Sequence, residues 1–103
     1  MKTAALPPAE LDMLCGVFQR HPEIKVVKLF GSRAKGTSAP GSDIDLALWG
    51  EVDALGAEAI AAELDELPTP YKYDVKPFRL IQHPALREHI ERVGITVYPA
   101  VAG

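Results

Sequence analysis

Gly31-Ser32-Arg33-Ala34-Lys35-Gly36-Thr37-Ser38-Ala39-Pro40-Gly41-Ser42-Asp43-Ile44-Asp45-Leu46-Ala47-Leu48 joins two backbones of different kind. The preceding run, Lys25-Val26-Val27-Lys28-Leu29-Phe30, is apolar and β-branched and reads as a buried strand that stops at Gly31. Gly31 allows a sharp turn, and Ser32 is expected to open a short helical turn through Ala34 and Lys35. The free amides of Gly31, Ser32 and Arg33 would then point from a helix N-terminus, a setting for an anion such as phosphate. Arg33 and Lys35 add positive charge there, or serve as solvated loop residues. Beyond the loop from Gly36 to Ser42, a second strand is expected over Asp43-Ile44-Asp45-Leu46-Ala47-Leu48. Strand side chains alternate, so Asp43 and Asp45 share one face about 7 Å apart, while Ile44, Leu46 and Leu48 enter the core.

Two acids aimed alike beside an anion turn suggest a bound divalent cation. A third acid is available in Tyr71-Lys72-Tyr73-Asp74-Val75-Lys76, where Asp74 points away from Tyr73 and Val75. If that strand lies beside the first, Asp43, Asp45 and Asp74 converge. Carboxylates a few Å apart repel by roughly 1 to 4 kcal/mol per pair at intermediate dielectric, and a cation between them removes that cost. Hard oxygen donors describe magnesium better than zinc. Lys72 and Lys76 share the alternation of Asp74, so either touches phosphate or both are exposed strand lysines.

Gly31-Ser32, followed at this distance by Ser42-Asp43-Ile44-Asp45-Leu46 and later by Asp74, resembles the signature of nucleotidyltransferases with the DNA polymerase beta palm fold. The short chain is similar in particular to the minimal nucleotidyltransferases (MNT), often paired with a helical HEPN-domain protein. The resemblance implies that a nucleoside triphosphate, ATP, docks on Gly31 and Ser32 with Arg33, Lys35 and Ser42 nearby. It implies that Asp43 and Asp45, with Asp74, hold two Mg2+ ions, and that Asp74 takes the proton of an acceptor hydroxyl. It further implies an antitoxin that transfers AMP to a tyrosine of a HEPN-type ribonuclease toxin. The alternatives are an antitoxin that masks its partner by binding alone, or transfer to a small molecule.

At 103 residues the chain is expected to be one domain, 1–103, too short for a catalytic and a separate substrate domain. A bare palm has little surface to enclose an acceptor, so a partner protein or a second copy is expected to complete the site. A hydrophobic share of 48% against 24% charged residues is the balance of a folded chain. A net charge of −3 argues against general nucleic-acid binding. No apolar run approaches a membrane span and no signal-peptide pattern opens the chain, so a cytoplasmic protein is expected. The lone Cys15 excludes an internal disulfide framework and a thiolate metal cluster and reads as a small buried residue.

The remaining elements follow from periodicity. A helix is expected to start at Pro7-Pro8, bury Leu11, Leu14, Cys15 and Phe18, and end near Arg20-His21-Pro22, with His21 at its negative end. Trp49 falls on the aspartate face, where it stacks on a base or covers the sheet, the commoner use of a large aromatic. Gly50 breaks the strand. A second helix is expected over Asp53 to Leu67, with Leu55, Ile60, Leu64 and Leu67 inward and Glu58, Glu63, Asp65 and Glu66 solvated. Phe78 to Gln82 is a connector with room for one short turn. His83 and Pro84 suit the start of a third helix, Leu86, Ile90 and Val93 form its stripe, Gly94 stops it, and Ile95 to Tyr98 makes a last strand. The expected fold is α+β, a mixed sheet of about four strands with helices on one face, the other face left open around the three aspartates.

Overall fold

The periodicities above compete for one sheet, and its two faces are filled differently. The structure, a computed structural model, describes residues 8–30, 44–69 and 71–99. In chain order these form α1 (Pro8–Gln19), β1 (Ile24–Phe30), β2 (Ile44–Gly50), α2 (Ala54–Asp65), β3 (Tyr73–Pro77), a 3-10 turn (Phe78–Leu80), α3 (Pro84–Val93) and β4 (Ile95–Tyr98). The strands make a four-stranded mixed sheet ordered β3-β2-β1-β4. β1 is antiparallel to both β2 and β4, and β2 is parallel to β3. A parallel pair needs a long crossover, and α2 supplies it.

The main core lies on one face. Val27 and Leu29 of β1, Ile44, Leu46 and Leu48 of β2 and Tyr73 of β3 meet Leu14, Val17 and Phe18 of α1 and Ala57, Ile60 and Leu64 of α2. Cys15 is buried as expected, and its thiol donates to the Val97 carbonyl at 3.2 Å. Burial raises its pKa, with a smaller contribution from Asp12, so the thiol stays protonated and unreactive. Leu55, expected inward, is 75% exposed. The buried positions Ala57, Ile60 and Leu64 recur at three and four residues, and Leu55, five residues before Ile60, falls well off that stripe.

Helices occupy both faces. Phe30 and Ala47 leave an apolar patch on the aspartate side of the sheet, and Ile90 of α3 packs on it with Phe78, joined by the partly buried Trp49, Ile81 and Leu86. The expectation of helices on one face therefore holds for α1 and α2 only. The connector does carry a short turn: Arg87 donates to the carbonyls of Phe78 (3.0 Å) and Ile81 (2.9 Å), and its guanidinium lies 4.3 Å from the Phe78 ring centre. His83 caps α3 by accepting from the Leu86 amide at 3.3 Å, with Pro84 next. Asp53 is the cap of α2 rather than its first residue, its carboxylate accepting from the Gly56 amide at 2.7 Å. The third strand begins at Tyr73, opposite Ile44 of β2, rather than at Tyr71.

The end of β2 lies against the backbone that follows α1, and side chains that periodicity does not reveal tie the end of α1 to α2. Gly50 has φ +134°, and a Cβ there would collide with the Glu23 carbonyl oxygen. Glu63, expected on the solvated face of α2 with Glu58, Asp65 and Glu66, instead accepts from Arg20 at 3.0 Å and lies 2.8 Å from His21 Nε2. His21 thus bridges helices besides facing the end of α1. The Arg20 hydrogen bond, with His21 adding to it, holds the Glu63 carboxyl below its ordinary pKa. A carboxylate so depressed contributes stability above the unfolded-state value, lost as pH falls through the folded value.

Two outcomes follow for stability. Gly50→Ala should lower the unfolding free energy by about 1 to 3 kcal/mol in urea titration, through left-handed strain and the carbonyl clash. Glu63→Gln should melt below the parent at pH 7 by the equivalent of ~0.2 to 1 kcal/mol, and the gap should close as pH falls through the folded-state value, below the ordinary glutamate range. A gap that persists at pH 3 would assign the loss to packing rather than to charge.

Candidate active site

β2 and β3 owe their alignment to the core side of the sheet. Ile44 and Leu46 on β2 are fully buried, as is the Tyr73 neighbour on β3 to within 8% exposure, and burying these three sets the pairing Ile44↔Tyr73, Asp45↔Asp74, Leu46↔Val75. The ladder is reinforced by the Ile44 amide, which donates to the Lys72 carbonyl at 2.8 Å. Since neighbours in register point to the same face, Asp45 and Asp74 are brought side by side on strands about 4.8 Å apart. A slip of one residue would send one of the two into the core.

Asp45 is partly buried, and Asp74 has half its side chain exposed. Asp45 also faces Phe30 across the antiparallel ladder, so the chain leaves β1 opposite Asp45 and re-enters β2 one residue before it. The intervening segment, 31–43, contains Gly31, Ser32, Arg33, Lys35, Ser42 and Asp43, and all six lie outside the described residues. Of the three acids expected to converge, the structure brings Asp45 and Asp74 together. Among the described residues no group of three His, Cys, Asp or Glu side chains is close enough to hold a metal ion.

The donor set nevertheless suits a hard divalent cation. Two carboxylates with a common direction concentrate negative charge, and among the described residues no His or Cys joins them in a group that could hold a metal such as zinc. One carboxylate already attracts a cation: Lys76 Nζ lies 2.9 Å from Asp74 Oδ2. The alternation of residues 72, 74 and 76 leaves Lys76 either touching phosphate or exposed on the strand; it is 41% exposed, and its contact with Asp74 is an addition to those readings.

Further along the same face the sheet is covered. Trp49 stacks on Phe78 with ring centres 4.3 Å apart and planes 19° from parallel, and Lys28 Nζ lies 5.5 Å from the Trp49 ring centre. Trp49 therefore covers the sheet, with one ring face on Phe78. The face has two zones, an apolar one under α3 and an acidic one at Asp45 and Asp74. His83 is occupied as a helix cap and His21 with Glu63 and Glu23.

The arrangement has counterparts among known proteins. The family model described as polymerase beta, nucleotidyltransferase matches residues 13–100. No curated protein sequence matches significantly. Among solved structures, a chain of a toxin–antitoxin complex crystallised with AMP-PNP is similar at TM-score 0.72 and 22% identity, over 90% of this chain and 73% of that one. A chain of the MntA-HepT toxin–antitoxin complex is similar at TM-score 0.69 and 17% identity, over 89% and 72%. A chain of the complex between a tri-AMPylated Shewanella oneidensis HEPN toxin and its MNT antitoxin gives TM-score 0.67 and 17% identity, over 87% and 70%. These likenesses carry the fold, and the family model covers most of the sequence including both aspartates: the chain belongs to the polymerase beta nucleotidyltransferase family.

Proposed function

We propose that this chain is a magnesium-dependent nucleotidyltransferase that moves AMP from ATP to a tyrosine hydroxyl of a HEPN-type toxin and thereby acts as its antitoxin. The observation that carries the reading is the in-register pair Asp45 and Asp74 on adjacent parallel strands, within a family of nucleotidyltransferases. The solved complexes with similar folds, among them one with AMP-PNP and one with a tri-AMPylated HEPN toxin, support the choice of nucleotide and acceptor. The whole function is assigned to one domain, acting in the cytoplasm. No helix of the described residues is long and apolar enough to cross a membrane.

In this reading Asp43, Asp45 and Asp74 hold the magnesium, two ions in the full site. Bound there, the metal neutralises phosphate charge and lowers the pKa of the acceptor hydroxyl. Gly31, Ser32, Arg33, Lys35 and Ser42 bind the phosphates of ATP. Asp74, on the half-exposed edge strand, faces the incoming acceptor and takes its proton. The acceptor oxygen bonds to the α-phosphorus as the bond from that phosphorus to the bridging oxygen breaks, and pyrophosphate leaves with that oxygen. Asp45, set deeper and between β1 and β3, orients rather than exchanges protons.

Incubation of the chain with ATP, magnesium and a HEPN-domain toxin, followed by intact-mass spectrometry of the toxin, should show additions of AMP units. Asp74→Asn and Asp43→Asn should each lower the initial rate by about 10²-fold or more. Asp74→Asn should leave the melting temperature nearly unchanged, since half of its side chain is in solvent. A stable complex without mass gain would sink the transfer reaction and favour an antitoxin that masks its partner by binding.

A further inference from the structure

The contact between Lys76 and Asp74 adds little to holding the fold together. Both side chains are substantially exposed, 41% and 50%, and an ion pair of that kind adds little stability. Its location is what distinguishes it. Asp74 stands in register with Asp45, and Lys76 places an ammonium 2.9 Å from Oδ2 of the same carboxylate that the proposed reaction assigns to the metal and to the acceptor proton. A carboxylate oxygen with a lysine on it must give up that partner, or share it, before it coordinates a divalent ion.

The lysine has somewhere to go. Lys76 lines a mostly apolar groove of about 330 Å³ with Pro77, Leu80, Ile81, Leu86, Gln82 and His83. A four-carbon chain lies comfortably along such a surface with its ammonium kept in water. Pro77 ends β3 directly after Lys76, so the side chain sits where the strand stops and the 3-10 turn begins. Lys72 occupies the matching position on the other side of Asp74, two residues away on the same face, yet it makes no ion pair with Asp74.

We propose that Lys76 is a positioning residue that holds the Asp74 carboxylate and gives it up, moving along the groove, to a divalent cation. It holds the carboxylate on the aspartate face and opposes metal binding there. The inference rests on the assignment of Asp74 as a metal ligand under the proposed function.

The test uses Mn2+ alone as the probe, with free Mn2+ counted by electron paramagnetic resonance during titration of the full chain without nucleotide. Lys76→Met should tighten Mn2+ binding by roughly two- to five-fold, the range of a partly exposed ion pair, and Lys76→Arg should bind as the parent does. Lys72→Met removes the same charge at the same sequence distance without the contact, and should shift the affinity less than Lys76→Met. Equal effects of the two methionine variants would overturn the proposal in favour of bulk charge, as would unchanged or weaker Mn2+ binding by Lys76→Met. Asp74→Asn separates the two levels of inference. If it leaves Mn2+ binding intact, the metal assignment itself fails; if it weakens binding while Lys76→Met has no effect, only the displacement fails.

Discussion

Everything that gives this chain a site depends on the parallel register between β2 and β3. The two strands are separated in sequence by α2, so no local turn sets their alignment; the burial of Ile44, Leu46 and Tyr73 beneath α1 and α2 does. Because side chains alternate, hydrophobic burial on one face dictates which polar residues meet on the other. Asp45 and Asp74 are neighbours for that reason. Like charges would not choose each other, and the core holds them together against their repulsion.

The sheet's second face shows how a small fold shares one surface between packing and chemistry. Phe30, Ala47, Trp49 and Phe78 form an apolar cluster with Ile90 and Leu86 of α3, and the Arg87 clamp on the 3-10 turn fixes Phe78 under Trp49. Asp45, across the ladder from Phe30, and Asp74 stand at the edge of that cluster. The boundary runs along β2, between Asp45 and Ala47, and along β3, where Lys76 touches both an acid and an apolar groove. Rigidity at one end of a strand thus orients the carboxylate at the other, which is what a site assembled on strands rather than loops gains.

The charged ties follow the same division. Glu63 with Arg20 and His21 joins the ends of α1 and α2 behind the sheet and serves the fold. Lys76 with Asp74 lies in front of it and contributes little to the fold. Two ion pairs of similar length therefore differ in meaning, and only their positions relative to the core distinguish them.

Much of this was legible in the residues alone. The β-branched run before Gly31, the alternation through Ile44 to Leu48, the histidine and proline that open α3 and the breaks at Gly50 and Gly94 are local signals, since propensity, capping and period act within a few residues. The composite of Gly31-Ser32, Asp43, Asp45 and Asp74 also pointed to the family that the comparison finds. The crossing of α3 to the aspartate face, the outward turn of Leu55, the stacking of Trp49 on Phe78 and the capture of Asp74 by Lys76 were not legible. Each depends on which distant surfaces meet, a sum of burial over the whole chain that no short window contains. Sequence by itself determined which residues could form strands, helices and an acidic face; tertiary structure decided which of them became neighbours, because burial is settled between elements and not within them.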